Sequence, residues 1–271
     1  MKKLLAFILV SVMLLALAAC TLPDLGDDGD NSDEKKDEED GLPVIEGDKY
    51  TAKHMRSYFP EYDAFDEQVI EFIKGKDLCE LSLIDHEVRS SPDSYAIMTT
   101  TQKIIGTVSE EDGKLVFSIT ESYLKIEFAG PAADMALSSY KEHTTQSISE
   151  AEDEVEKEAY NTSLKACDGK YVKLSNTLID LISSGQKYSL KIEGDKLSSF
   201  IMTYPSFSST TYDFTYHENG NIASSNMTDS DSDSEEEATT YHENGNIASI
   251  YQWGDLFTFD QDGKFIPIDE K

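Results

Sequence analysis

The chain has 271 residues with 53 acidic and 23 basic side chains, which gives a formal net charge of −30 at pH 7. A surface this acidic disfavours nucleic acid as a partner, because phosphate binding requires clustered lysine and arginine. It also disfavours broad docking on anionic lipid head groups, so attachment to a membrane would have to come from inserted acyl chains.

The first predicted element is an export signal. Two lysines precede an apolar stretch over Leu4–Leu17, which is too short and wrongly flanked for a permanent membrane span. The stretch ends in Leu17-Ala18-Ala19-Cys20, which resembles a bacterial lipobox. The resemblance implies cleavage after residue 19 and diacylation of Cys20, so that the lipid bilayer holds the protein on the extracytoplasmic face of the cell membrane. An ordinary secretory peptide is the alternative.

Residues 20–48 are predicted to form an acidic, disordered tether behind the lipidated cysteine. Asp24–Asp40 carries ten acidic residues and two lysines, so like charges repel each other and burial is unfavourable. A flexible chain of this length spans roughly 30 Å, which would lift the folded part away from the lipid surface.

Residues 49–205 are predicted to form an α+β domain that begins with a helix over about Ala64–Lys74. Phe65, Val69 and Phe72 follow helical spacing, with Asp63 before them as a capping residue.

A second short helix is predicted over Thr177–Ser184, where leucine and isoleucine fall on one helical face. The polar segment Tyr140–Tyr160 fits a solvated helix or a loop equally well.

Turn signals dominate the rest of the chain. Segments with period-two alternation indicate strands with one buried face, and five dipeptides suit the positive φ angles of a two-residue type I′ hairpin: Asp112-Gly113, Asp168-Gly169, Asn219-Gly220, Asn244-Gly245 and Asp262-Gly263. The predicted fold class is therefore mainly β (α+β), an antiparallel sheet with one or two short helices.

Residues 206–271 contain a duplicated string. Thr215–Ser224 recurs without change as Thr240–Ser249, 25 residues later, and Phe259–Lys264 begins a degenerate third copy. In each copy an aromatic residue lies four positions before the glycine and an apolar residue two positions after it, so the two should pack across a hairpin. The pairs are Tyr216 with Ile222, Tyr241 with Ile247, and Phe259 with Phe265.

This string resembles the variant MORN-like repeat, an aromatic-x-x-Asn-Gly-Lys-apolar hairpin that occurs in bacterial lipoproteins and in proteins described as antitoxin components. Here asparagine replaces the usual lysine in two copies, as Asn221 and Asn246. The resemblance implies stacked β-hairpins, and the repeat is a scaffold rather than a function.

The duplicated polar residues His217, Glu218, His242 and Glu243 are the candidates for contacts with a partner, because equivalent residues of stacked repeats could contact it twice. A metal site is not predicted, since adjacent residues of a strand point to opposite faces and only the two histidines could converge. The alternative is that all four lie on a wet face without a binding role.

An acidic loop is predicted over residues 228–238, between the first two hairpins. Its alternating acids resemble a calcium loop only superficially, because the sixth position is Ser234 and the twelfth is Thr240 rather than glycine and glutamate. No nucleophile elbow, zinc motif or phosphate loop is present, so neither a cofactor nor a catalytic residue is predicted. Cys79 and Cys167 could form a disulfide or remain two buried thiols.

These features favour a surface lipoprotein that is not an enzyme, with a β-rich domain acting as a binding or scaffold module for a protein or envelope partner. An immunity or antitoxin-like protein that neutralises a protein partner is the alternative, and an extracytoplasmic enzyme is a third. The enzyme would require a concave pocket with a cluster of perturbed titratable groups.

Overall fold

The computed structural model describes residues 42–91, 94–204, 208–230, 237–252 and 254–267. The predicted export signal, Cys20, most of the tether and the centre of the acidic loop lie outside these residues. The described chain is a mainly β structure with short helices, which confirms the predicted fold class.

Long strands and three helices form the first two thirds of the described chain. The strands are β1 (Gly47–Phe59), β2 (Ala64–Gly75), β3 (Cys79–Ser91), β4 (Ser94–Glu111) and β5 (Lys114–Ala129), followed by helices α1 (Ala133–Glu150) and α2 (Glu154–Ala166), the short strand β6 (Val172–Lys173) and helix α3 (Asn176–Gly185).

Shorter strands complete the chain: β7 (Lys187–Glu193), β8 (Lys196–Thr203), β9 (Ser209–Tyr216), β10 (Ile222–Asp229), β11 (Glu237–Tyr241), β12 (Ile247–Gln252), β13 (Asp255–Phe259) and β14 (Phe265–Ile266). All pair antiparallel with their neighbours in sequence, except that β5 pairs with both β6 and β7. Because β8 pairs with β9, one sheet runs through the predicted boundary between residues 205 and 206.

The sheet curls until its first strand, β1, packs against the inner face of β8 and β10–β12. The larger core lies between β1–β5, the three helices and β7–β9, with Phe72, Leu81, Tyr188 and Phe200 among its fully buried side chains. A second core joins β1 to the repeats through Tyr58, Tyr241, Ile250 and Phe259.

The helix predicted over Ala64–Lys74 is wrong, because this segment is strand β2. Gln68, Ile70 and Phe72 are buried at period two, between β1 and β3. Asp63 has a φ of 48° and accepts a hydrogen bond from the Tyr58 hydroxyl, so it belongs to the β1–β2 turn and does not cap a helix.

The helix predicted over Thr177–Ser184 is confirmed as α3, which Ser175 caps by accepting a hydrogen bond from the Leu178 backbone N–H. The ambiguous segment Tyr140–Tyr160 is mostly helical. It contains the end of α1 and the beginning of α2, which Asp153 caps.

The five turn dipeptides form three kinds of structure. Asp112 and Gly113 both have positive φ, at 52° and 75°, and form the predicted two-residue turn. Asp168-Gly169 follows the end of α2 and is not a hairpin.

In the three repeat copies only the glycine has positive φ, so the predicted type I′ turn is wrong. In the first copy the Gly220 N–H donates to the His217 carbonyl and the His217 N–H donates to the Asn221 carbonyl. This pattern is a type I turn followed by a bulged glycine.

We expect Gly220→Val and Gly245→Val each to lower the free energy of unfolding by about 1–3 kcal/mol, because a β-branched residue is strained at positive φ. Gly245→Asn is the matched control, since asparagine tolerates this region and a Cβ atom there meets nothing closer than 3.8 Å. Denaturant unfolding of the three variants measures the difference. Equal stability of the valine and asparagine variants would show that backbone strain does not matter at this turn.

Candidate functional site

The three predicted cross-hairpin pairs lie directly opposite each other in the sheet. Tyr216 pairs with Ile222, Tyr241 with Ile247, and Phe259 with Phe265. The aromatic and apolar side chains of the repeats therefore build the second core, as the sequence predicts.

The duplicated polar residues connect each hairpin loop to the next one. His217 Nε2 lies 2.9 Å from the Tyr241 carbonyl oxygen, and His242 Nε2 lies 3.1 Å from that of Phe259. Because a carbonyl only accepts, each Nε2 carries a proton.

Asparagine amides reinforce these connections. The Nδ2 atoms of Asn219 and Asn221 donate to the Glu243 carbonyl at 2.6 Å and 2.7 Å. The Nδ2 atoms of Asn244 and Asn246 bind the Gln261 carbonyl in the same way, at 2.6 Å and 2.9 Å. The conserved spelling of the two copies thus has a structural use.

The third copy ends this series. Asp260 takes the place of the histidine, and its Oδ1 accepts hydrogen bonds of 2.9 Å from the backbone N–H groups of Asp262 and Lys264. Its side chain is therefore committed to its own loop.

The four candidate partner-binding residues differ in exposure. His217 and His242 are half-buried between adjacent loops, whereas Glu218 and Glu243 are exposed. We therefore expect His217→Ala to lower the free energy of unfolding by about 1 kcal/mol through its lost hydrogen bond, and Glu218→Ala to change it little. Thermal unfolding of the two variants tests this; an equal loss in both would contradict the structural role of the histidine.

An open groove of about 590 Å³ lies between β1 and the loops that follow β7, β9 and β11; we call it the β1 groove. One wall is the start of β1 with Val69, and the other is the loop ends. Its lining is Lys49, Tyr50, Thr51, Ala52, Lys53, Val69, Asp195, Lys196, Leu197, Tyr216, Gly220, Asn221, Ile222 and Gly245.

Three lysines and one aspartate line the β1 groove, in contrast to the acidic excess of the whole chain. Lys49 Nζ lies 2.8 Å from Glu71 Oε1 at the outer side. Lys53 and Lys196 each place their ammonium over a tyrosine ring, 5.2 Å and 5.5 Å from its centroid. Such contacts hold the lysine stems against the walls and leave hydrogen-bond donors for a ligand.

A buried group of charged side chains was not predicted from the sequence. This charged cluster consists of Arg56, Asp66, Asp85, Glu87 and Arg89, on β1, β2 and β3. Arg56 is the extra residue of a bulge in β1, and its Nη2 lies 3.3 Å from Asp85 Oδ1. Arg89 Nη2 donates to Glu87 Oε2 at 2.7 Å.

Burial is the main cause that raises the pKa of all three carboxyl groups in the charged cluster. The arginines oppose this effect, and the pKa of Glu87 is still raised to about 7. The pKa values of Asp85 and Asp66 are raised as well. Two arginines thus only partly offset the cost of placing three carboxylates in the interior.

Buried polar atoms beside the charged cluster extend it toward the repeats. His54 is fully buried, and its Nδ1 lies 3.0 Å from Ser225 Oγ on β10. Its Nε2 lies 3.8 Å from Glu237 Oε2 on β11. None of these residues lines the β1 groove.

Other sequence-based alternatives are also addressed. Cys79 and Cys167 are both free and buried, and burial raises the pKa of both thiols. Within the described ranges, no group of three or more metal-ligating side chains is found, and no helix is long and apolar enough to cross a membrane.

Comparisons with known proteins place the chain in no family: no family model, no curated protein and no solved structure matches it.

Proposed function

We propose that the protein is a lipid-anchored module on the extracytoplasmic face of the cell membrane, and that it binds a partner, without catalysis, in the β1 groove. The anchor is Cys20, and residues 20–48 are the tether that carries the folded sheet away from the bilayer. The observation that carries the proposal is the β1 groove itself, with lysines, apolar side chains and a strand edge in one wall-to-wall site.

Binding accounts for the groove better than catalysis does. The ionisable lining group with a shifted pKa is Tyr216, which burial raises to about 12. Its hydroxyl donates to the Leu197 carbonyl at 2.7 Å, so at neutral pH it is a protonated structural group. The carboxyl groups with raised pKa belong to the charged cluster, where the arginines engage them.

The anchor is tested with Cys20→Ser. We expect the wild type to incorporate a labelled fatty acid and to stay with membranes after a carbonate wash, because two acyl chains suffice for stable anchoring. The variant should incorporate no label and appear in the soluble fraction. Equal membrane retention of both proteins would overturn the anchor.

The groove is tested with Val69→Trp, which fills it, and with Thr228→Trp as a matched control on an exposed position of β10. Each protein is immobilised and exposed to solubilised cell envelope. We expect the wild type and the control to retain the same component and the groove variant to lose it. Retention by all three would place the binding surface elsewhere.

A further inference from the structure

The β1 groove exposes a free edge of the sheet. Among the described strands, β1 is the first in the sheet and pairs only with β2. From Lys53 onward, side chains of the repeats satisfy its outer edge: the Tyr241 hydroxyl donates to the Lys53 carbonyl at 3.3 Å, and Thr239 Oγ1 donates to the Met55 carbonyl at 2.9 Å.

The same edge has no such cover at its beginning. In an antiparallel pair, alternate residues direct both backbone groups away from the partner strand. Since Lys53 and Met55 point outward, Thr51 and Lys49 do so too. Both are exposed and both line the β1 groove. The stretch from Lys49 to Lys53 offers about 13 Å of edge at the rise of a β-strand.

The groove therefore presents two recognition elements together. The edge offers N–H donors and carbonyl acceptors in alternation, which another peptide backbone matches and a polyanion with acceptors alone does not. The walls add three ammonium groups against one carboxylate, which favours an acidic partner over a basic one.

We propose that the β1 groove binds an extended acidic peptide segment of a protein partner, which adds to the sheet as a strand beside β1. This inference rests on the proposed binding function of the groove and specifies the class of partner. The backbone of the segment pairs with Thr51 and Lys49, while its acidic side chains reach Lys49, Lys53 and Lys196.

The probe is a fluorescein-labelled peptide of about seven residues that alternates glutamate and valine, long enough to span the exposed edge. Its binding to the mature chain is measured by fluorescence anisotropy. We expect saturable binding that weakens as salt is added, and no binding of the same peptide with lysine in place of glutamate.

Two protein variants separate the backbone from the charges. Thr51→Pro removes an outward N–H without breaking the β1–β2 ladder, and we expect it to weaken probe binding about tenfold, the effect of one or two lost hydrogen bonds. The double variant Lys49→Gln/Lys196→Gln should weaken binding similarly and reduce its salt dependence. Lys187→Gln is the matched control, since it removes one exposed charge at the other end of the β7–β8 hairpin.

A probe methylated on its backbone nitrogens gives the same information without altering the protein, in case Thr51→Pro melts early. Binding of the methylated probe and of the lysine peptide as tight as that of the original would overturn strand addition. Failure of the acidic probe, with Val69→Trp still abolishing capture from envelope, would overturn this inference alone and leave the binding function in place.

Discussion

Replacing Arg56 by alanine is expected to lower the free energy of unfolding by about 3–5 kcal/mol at pH 8, the usual cost of leaving buried charges without a partner. The Arg56 side chain is 21% exposed, and it lies 3.3 Å from Asp85 and 4.0 Å from Glu87. Without it, the three carboxylates of the charged cluster keep only Arg89.

The loss should shrink as the pH falls. A carboxyl group with a raised folded-state pKa destabilises the fold above that pKa, and this penalty disappears as protonation proceeds toward its unfolded value. Glu87, with a pKa of about 7, is neutral at pH 5 and then needs no counter-charge. Urea unfolding of both proteins at pH 8 and pH 5 measures the effect.

A matched variant checks the cause of this loss. Arg56→Met/Asp85→Leu removes both partners and fills the space with apolar atoms, so we expect it to recover most of the stability. A loss from Arg56→Ala that is the same at both pH values would contradict the electrostatic explanation.

Tyr58→Ala is expected to cost about 3–5 kcal/mol, as is typical of a large aromatic residue removed from a core. Tyr58 is 4% exposed. Its ring centroid lies 4.9 Å from those of Phe65 and Phe259 and 5.4 Å from that of Phe265. It is therefore the side chain through which β1 contacts β13 and β14.

Tyr58→Phe is the control, because it removes only the hydroxyl that donates to Asp63, which is worth about 0.5–1.5 kcal/mol. Hydrogen exchange should show the alanine variant losing protection first in β12–β14. Uniform loss across the whole sheet would mean that the repeats do not open separately.

Local patterns predicted the hairpins and α3 because the information lies within a few residues. The aromatic residue, the glycine and the apolar residue of each repeat specify a turn and a cross-strand pair without reference to the rest of the chain. The MORN-like resemblance and the lipid anchor stay predictions.

Segment 64–74 failed because its apolar residues fit both periods. Phe65, Val69 and Phe72 follow helical spacing, yet Gln68, Ile70 and Phe72 are the buried set. Pairing with β1 and β3 on both sides decided between the two, and such long-range pairing overrides local preference.

The charged cluster had a readable but incomplete signal. Asp85, Glu87 and Arg89 alternate along β3, so they had to share one face of any strand. Whether that face is wet or buried depends on the curl of the sheet, which brings β1 and the repeats over it. The β1 groove was equally unreadable, since its walls come from segments more than a hundred residues apart.

The loop-to-loop bonds also give the repeat array a direction. Each loop with histidine and asparagine reaches forward to the next loop, and only the last, with Asp260, closes on itself. A further copy of the unit would therefore fit between existing copies, where it has a neighbour to accept its bonds, but not after the terminal one. Since the first two copies share ten identical residues, unequal recombination within this stretch of the gene would lengthen or shorten the array by whole hairpins and leave its terminus intact.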